Sequence, residues 1–110
     1  MIYPPNLQPG DTVGVVSTAR KITEPELQPF LALLKNWKLT PLLGESIGAS
    51  DHQFAGSDEL RTKDFQAMID NPAVKAIWCA RGGYGTVRML DGLDFSKLIE
   101  HPKWIIGYSD

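Results

Sequence analysis

Residues 12–18 read T-V-G-V-V-S-T, β-branched and almost wholly apolar, directly after the turn signal Pro9-Gly10-Asp11. A strand with apolar residues at successive rather than alternate positions is one buried on both faces, as in a parallel sheet covered by helices. The flanking sequence agrees. Downstream, T-E-P-E-L-Q-P-F-L-A-L-L-K-N-W sets Leu27, Phe30, Leu31, Leu34 and Trp37 at helical spacing, and Thr23 with Glu26 forms the pattern of a capping box. Pro29 lies inside this segment and predicts a kinked or delayed first turn. Residues 38–44, K-L-T-P-L-L-G, predict a second strand, and Pro41 suits an edge better than the centre of a sheet.

Residues 45–56, with two glycines and no clear period, read as a long loop, a length usually tied to function or mobility. Ser57 is a candidate N-cap with Asp58 and Glu59 in the favourable first turn. The helix that follows carries Leu60, Ala67 and Met68 on its expected apolar side, with Phe65 and Ile69 beside them, and stops before Pro72. A-V-K-A-I-W-C-A (73–80) is a third strand, R-G-G-Y-G (81–85) a tight loop, and residues 86–93 a short helix. Residues 94–102 form another turn or helix, and K-W-I-I-G-Y-S (103–109) is the fourth strand, its Trp104-Ile105-Ile106 run reading as buried. Strands alternating with helices at this spacing define βαβ units, so the fold class is α/β with a parallel sheet.

The composition bounds what such a domain does. At 110 residues the chain is one domain, residues 1–110. Eleven basic and thirteen acidic residues give a net charge of -2 without a basic run, which argues against nucleic acid as a partner. No stretch reaches the roughly 18 apolar residues of a membrane span, and the opening M-I-Y-P-P-N-L-Q-P-G-D lacks the parts of a signal peptide. The expectation is a cytoplasmic protein without membrane association. The single cysteine, Cys79, excludes an intramolecular disulfide and sits in an apolar run, as a small buried hydrophobe does. With two histidines, His52 and His101, far apart in sequence, a metal centre is poorly supported.

In parallel sheets, function collects at the carboxyl ends of strands, and both R-G-G-Y-G and G-Y-S-D (107–110) follow strands. In the second, a serine on a strand-to-turn junction could present its hydroxyl beside the N–H of Asp110, joining a nucleophile to one oxyanion donor. An ordinary turn serine fits the local pattern equally. In the first, Gly82 and Gly83 let backbone N–H groups approach a ligand with no Cβ in the way. Arg81 could add a bidentate contact to a carboxylate, or extend into solvent; Arg81 and Tyr84 are the candidate substrate-binding residues. Nucleotide binding fits poorly: no Gly-Lys-Ser/Thr is present, and Arg88 stands where a dinucleotide fingerprint needs its third glycine. A serine nucleophile also needs a base. His101 lies eight residues before Ser109, on the order of 25 Å along an extended strand, and nothing fixes His52.

Three stretches, P-G-D-T-V-G-V-V-S-T-A, F-A-G-S-D-E-L-R-T-K-D-F-Q-A-M-I-D-N-P-A-V-K-A-I-W-C-A-R-G-G-Y-G-T-V-R-M-L-D and I-I-G-Y-S-D, together resemble the amino-terminal domain of the LD-carboxypeptidases, the murein tetrapeptide carboxypeptidase family. The resemblance implies a flavodoxin-like, three-layer parallel sheet related to class I glutamine amidotransferases. It implies Ser109 as nucleophile, with an oxyanion hole from the amides of Asp110 and of the Gly82–Gly83 pair. The Glu and His that complete the family's triad belong to a second, mostly β domain, so residues 1–110 alone are expected to have little or no turnover. The implied reaction is hydrolysis of the L,D bond to the terminal D-alanine of cytoplasmic muropeptides, in peptidoglycan recycling, with no metal or organic cofactor. Homodimers are typical of the family. One departure is Thr18, where the family usually has proline after the first-strand serine; it alters a turn and leaves Ser109 unaffected. Two alternatives stand beside this reading: a microcin C self-immunity-type hydrolase of peptidyl-adenylates, and a non-catalytic module that binds a carboxylate at R-G-G-Y-G.

Overall fold

In the computed structural model, which describes residues 6–18, 22–48, 56–80 and 92–107, the chain runs β1 (Thr12–Val16), α1 (Glu24–Asn36), β2 (Thr40–Leu43), α2 (Asp58–Asp70), β3 (Val74–Cys79), α3 (Ser96–Glu100) and β4 (Trp104–Ile106). The strands form one parallel sheet in the order β2-β1-β3-β4. That is the order of the first four strands of a flavodoxin-like sheet, as the α/β reading requires.

β1 is buried on both faces because its side chains alternate between two cores. Val13 and Val15 join Ile22, Leu27, Leu34 and Ala76 under α1. Val16 joins Phe65, Met68, Ile69, Val74 and Ile77 under α2, with Leu98 of α3 packed against the same cluster. α1 therefore covers one face, and α2 and α3 the other. Gly14 points to the α2 face, where a Cβ would come within 2.6 Å of Met68 Sδ, so the helix approaches the sheet through the missing side chain. β3 keeps both cores filled despite one extra residue. Thr12 pairs with Val74 and Val13 with Ala76, leaving Lys75 as a bulge that lets Val74 and Ile77 share a face. Phe30 of α1 packs on Trp78 of β3 with ring centroids 4.4 Å apart.

The helix starts are those written in the sequence. Thr23 Oγ1 accepts from Glu26 N (3.4 Å) while Glu26 Oε1 accepts from Thr23 N (3.1 Å), the reciprocal capping box. Ser57 Oγ accepts from Leu60 N at 3.0 Å. The delayed start expected from Pro29 is not found: α1 begins at Glu24 and runs through it. Pro29 removes only the bond to the Pro25 carbonyl, and both prolines are exposed, so water can satisfy that oxygen. Pro41 lies in β2, which is paired on one side only, to β1, among the described residues.

Two further expectations are corrected. The Trp104-Ile105-Ile106 strand is not a buried one: β4 is paired to β3 alone among the described residues, and Trp104 and Ile105 are 37% and 45% exposed. The apolar side of α2 is also rotated from the expected one. Ala67 is exposed and Leu60 half-buried, whereas Arg61, Asp64, Phe65, Met68 and Ile69 form the buried face. The predicted short helix at 86–93 lies outside the described residues apart from Gly92 and Leu93. Among the described residues no helix is long and apolar enough to cross a membrane.

Candidate functional site

All four strands are parallel, so their carboxyl ends share one edge of the sheet. β3 and β4 are neighbours there, with Ala76 opposite Trp104, Ile77 opposite Ile105 and Trp78 opposite Ile106. On its other side β3 is held to β1 past the last paired residues, Ala80 N donating to Val16 O at 2.7 Å. The chain thus enters Arg81 from a point fixed against β1, and enters Tyr108 from a strand in register with β3. Ser109, Asp110, Arg81, Gly82, Gly83 and Tyr84 themselves lie outside the described residues, as does His52. His101 precedes β4, at the sheet's amino end, exposed and with its N–H on Lys97 O. That is the far end from the strand termini that lead to Ser109, as its spacing requires. Cys79 is half-buried against the α2 core.

The described part of this edge is organised by a polar cluster that sequence reading missed. Arg61, 1% exposed, donates from Nη1 to Thr18 O at 2.8 Å and from Nη2 to Asp58. Asp64, 7% exposed, accepts from Glu45 N (3.1 Å) and Ser46 N (2.9 Å), and from the Ser46 hydroxyl. Ser46 Oγ in turn accepts from Ser17 N at 2.9 Å. Two charged side chains on α2 therefore bind the turns that follow β1 and β2. A buried charge needs a partner or hydrogen bonds to persist: Arg61 is paired with Asp58, and Asp64 takes three hydrogen bonds.

The turn after β2 is shaped for this contact. Gly44 N donates to Val15 O (2.8 Å), Ile47 N to Gly44 O (3.2 Å), and Gly48, at φ +85°, closes the turn with its N–H on Ile22 O (2.9 Å). A Cβ on Gly44 would lie 2.3 Å from both carboxylate oxygens of Asp64, so only glycine lets the carboxylate reach the two amides beyond it. The available signal for these residues was the helical period itself. Stepping back by four from Phe65 and from Met68 lands on Arg61 and Asp64, one turn earlier on the same face. Among the described residues, no group of three or more His, Cys, Asp or Glu side chains could hold a metal ion.

The chain is 39% identical over 107 residues to a Bacillus subtilis protein named "Probable murein peptide carboxypeptidase", matching 97% of this chain and 34% of that one. It is 35% identical over 99 residues to the murein tetrapeptide carboxypeptidase of Pseudomonas aeruginosa, matching 89% of this chain and 32% of that one. The chain therefore spans about a third of the length of these relatives. Among solved structures, the microcin C7 self-immunity protein MccF with adenosine monophosphate superposes with a TM-score of 0.84 at 27% identity, over 97% of this chain and 32% of that one. A muramoyltetrapeptide carboxypeptidase from Oxalobacter formigenes superposes at 0.77 and 28% identity, over 90% of this chain and 33% of that one. Residues 13–110 match the family model described as the LD-carboxypeptidase N-terminal domain, and with the sheet order and strand ends above, the chain belongs to the LD-carboxypeptidase family.

Proposed function

We propose that this domain carries the nucleophile of a serine LD-carboxypeptidase, which hydrolyses the L,D bond between diaminopimelate or lysine and the terminal D-alanine of muropeptide tetrapeptides. The observation that carries the reading is the adjacency of β3 and β4. The segment with Gly82 and Gly83 and the segment with Ser109 begin from neighbouring, parallel strand ends. In the reaction, Ser109 Oγ attacks the scissile carbonyl carbon and its proton passes to a histidine, oriented by a glutamate, in the part of the family's length that this chain does not span. The oxyanion takes hydrogen bonds from the Asp110 amide and an amide of the Gly82–Gly83 pair. As the C–N bond breaks, the histidine returns the proton to the D-alanine amine, and water then attacks the acyl-serine with the same histidine as base. Arg81 and Tyr84 hold the terminal carboxylate end of the substrate.

The test is Ser109→Ala in the full-length protein, with D-alanine release from a tetrapeptide muropeptide as the assay. Loss of at least about 10³-fold in kcat is expected for a missing nucleophile. Hydrolysis that survives the substitution removes the nucleophile reading and favours the carboxylate-binding module. A second reading, hydrolysis of a peptidyl-adenylate, is favoured by the superposition on MccF, which exceeds that on the muramoyltetrapeptide carboxypeptidase. Greater identity to the murein carboxypeptidases supports the first. Comparing kcat/KM for a muropeptide and a peptidyl-adenylate separates the two, since both use Ser109.

A further inference from the structure

We propose that the free side of β4, with the apolar surface around α3 beside it, is an internal seam of the full-length protein. The polypeptide that follows Asp110 lays a fifth parallel strand along β4 and a helix over Ile105, Ile99 and Phe95. This inference is independent of the hydrolase reading and concerns how the domain joins the rest of the family's length. Trp104 lies opposite Ala76, in the core under α1, and Ile105 opposite Ile77, in the core under α2. β4 is therefore apolar on both faces, as strands in the middle of a parallel sheet are. Beside it, Phe95 and Ile99 are 44% and 75% exposed, and with Leu98 and Pro102 they line an open groove. Contiguous apolar surface of this kind marks a contact.

The two ends of the sheet are built differently. Thr40 N donates to Asp11 O and Gly44 N to Val15 O. Groups alternate along a parallel ladder, so Pro41 and Leu43 are the residues of β2 that turn outward. Proline there has no N–H to leave unpaired and blocks strand addition, which makes β2 a permanent edge although Leu42 and Leu43 are exposed. β4 has no such guard. Ala80 N donates to Val16 O, so by the same alternation Ile77 turns its groups toward β4, and its partner Ile105 turns N–H and C=O to the free side. The relatives supply the occupant: they are about three times as long as this chain, and the family model that matches residues 13–110 is that of an N-terminal domain. Polypeptide continuing in the direction already taken from β3 to β4 crosses over right-handed, on the face that holds α3. That face presents Ile105 and the apolar groove. A strand on this side holds β4 from both flanks, and with it the strand end that leads to Ser109.

The experiment uses the full-length protein and reads hydrogen exchange at the Ile105 amide. Paired to a fifth strand, that amide should exchange at least about 10²-fold more slowly than an unstructured one. Weaker protection overturns the proposal, because it leaves β4 an open edge. Protection that falls on dilution overturns it too, since it assigns the edge to a second copy rather than to the same polypeptide. The covering helix is tested by Ile99→Asp in the full-length protein, a substitution that costs little at a position in solvent. Thermal unfolding should fall by at least about 3 °C if the side chain is buried, and a smaller shift overturns the placement of the helix. Neither readout involves hydrolysis, so failure here leaves the nucleophile reading standing, and failure of that reading leaves this one.

Discussion

Replacing Asp64 by asparagine changes almost nothing in shape and tests how much the carboxylate holds. Oδ1 accepts from Glu45 N, and Oδ2 accepts from Ser46 N and the Ser46 hydroxyl. The cheaper orientation of the new amide keeps its oxygen at the two Ser46 donors and turns its NH2 toward Glu45 N–H, donor against donor. One charge-assisted bond, worth about 1.5–3 kcal/mol, is lost, and the other two weaken by roughly half as the charge disappears. A neutral amide also escapes part of the desolvation cost of a buried ion, which offsets some of the loss. The expected net is about 2 kcal/mol, a large share of a total stability of about 5–15 kcal/mol. In urea, with m of about 1–3 kcal/mol/M, the midpoint should fall by roughly 1 M at unchanged m. The Asp64→Asn/Ser46→Ala double variant should lose less than the sum of the singles, with a coupling of about 0.5–3 kcal/mol between contacting residues. A midpoint shift below about 0.3 M, or additive losses, would refute the reasoning that this carboxylate ties α2 to the two turns.

Two further predictions concern parts of the fold away from that edge. Lys103 is buried, with Nζ donating to Asn71 O (2.6 Å) and Val74 O (2.5 Å) at the amino end of β3. Burial, with Lys75 adding and Asp70 opposing, holds its ammonium below the ordinary lysine value of 10.5. The folded state then binds this proton more weakly than the unfolded state does. Lys103 therefore makes stability rise with pH from its lowered value up to 10.5, and that rise should vanish in Lys103→Met. At neutral pH the same variant should lose about 1–3 kcal/mol through the two deprived carbonyls, read by thermal unfolding. Lys38, just past the end of α1, has φ +61° with its N–H on Lys35 O, a left-handed helix terminus. Lys38→Gly should raise stability by up to about 1 kcal/mol, and a loss would show that the side chain contributes more than the backbone strain costs.

Most of the architecture was legible because local chemistry and tertiary need coincided. T-V-G-V-V became the doubly covered β1, and the Thr23–Glu26 pair and Ser57 capped the helices they precede. Pro41 fell on an edge. The failures share a cause: a residue's burial depends on what lies across from it, and that is set by topology. Three apolar residues at 104–106 read as buried, yet β4 is bordered by β3 alone among the described residues. On α2, counting only apolar residues found Phe65, Met68 and Ile69 but turned the face toward Leu60 and Ala67, because the period there is completed by Arg61 and Asp64. A charged residue at a core position cannot be told from a misplaced surface one until its partners are known. Those partners, Thr18 and Ser46, are 43 and 18 residues away in sequence.

The candidate site divides along the same line. The residues proposed for chemistry, Ser109 and the Gly82–Gly83 pair, were picked out by motif, since a nucleophile and close-approaching backbone need particular residue types in particular order. The residues that fix the edge from which those motifs depart have no such vocabulary. Gly44 reads as a strand-ending glycine, Ser46 as loop polarity, and Asp64 as helix surface, while in the fold they are one assembly in which the glycine's missing Cβ admits the carboxylate that binds the serine. Substituting any of the three should disturb the other two through a contact that no short window contains. Motif and support therefore fail differently: loss of a proposed nucleophile abolishes a chemical step, whereas loss of the support loosens the turns after β1 and β2. Kinetics that separate kcat from KM distinguish them where a simple loss of activity does not.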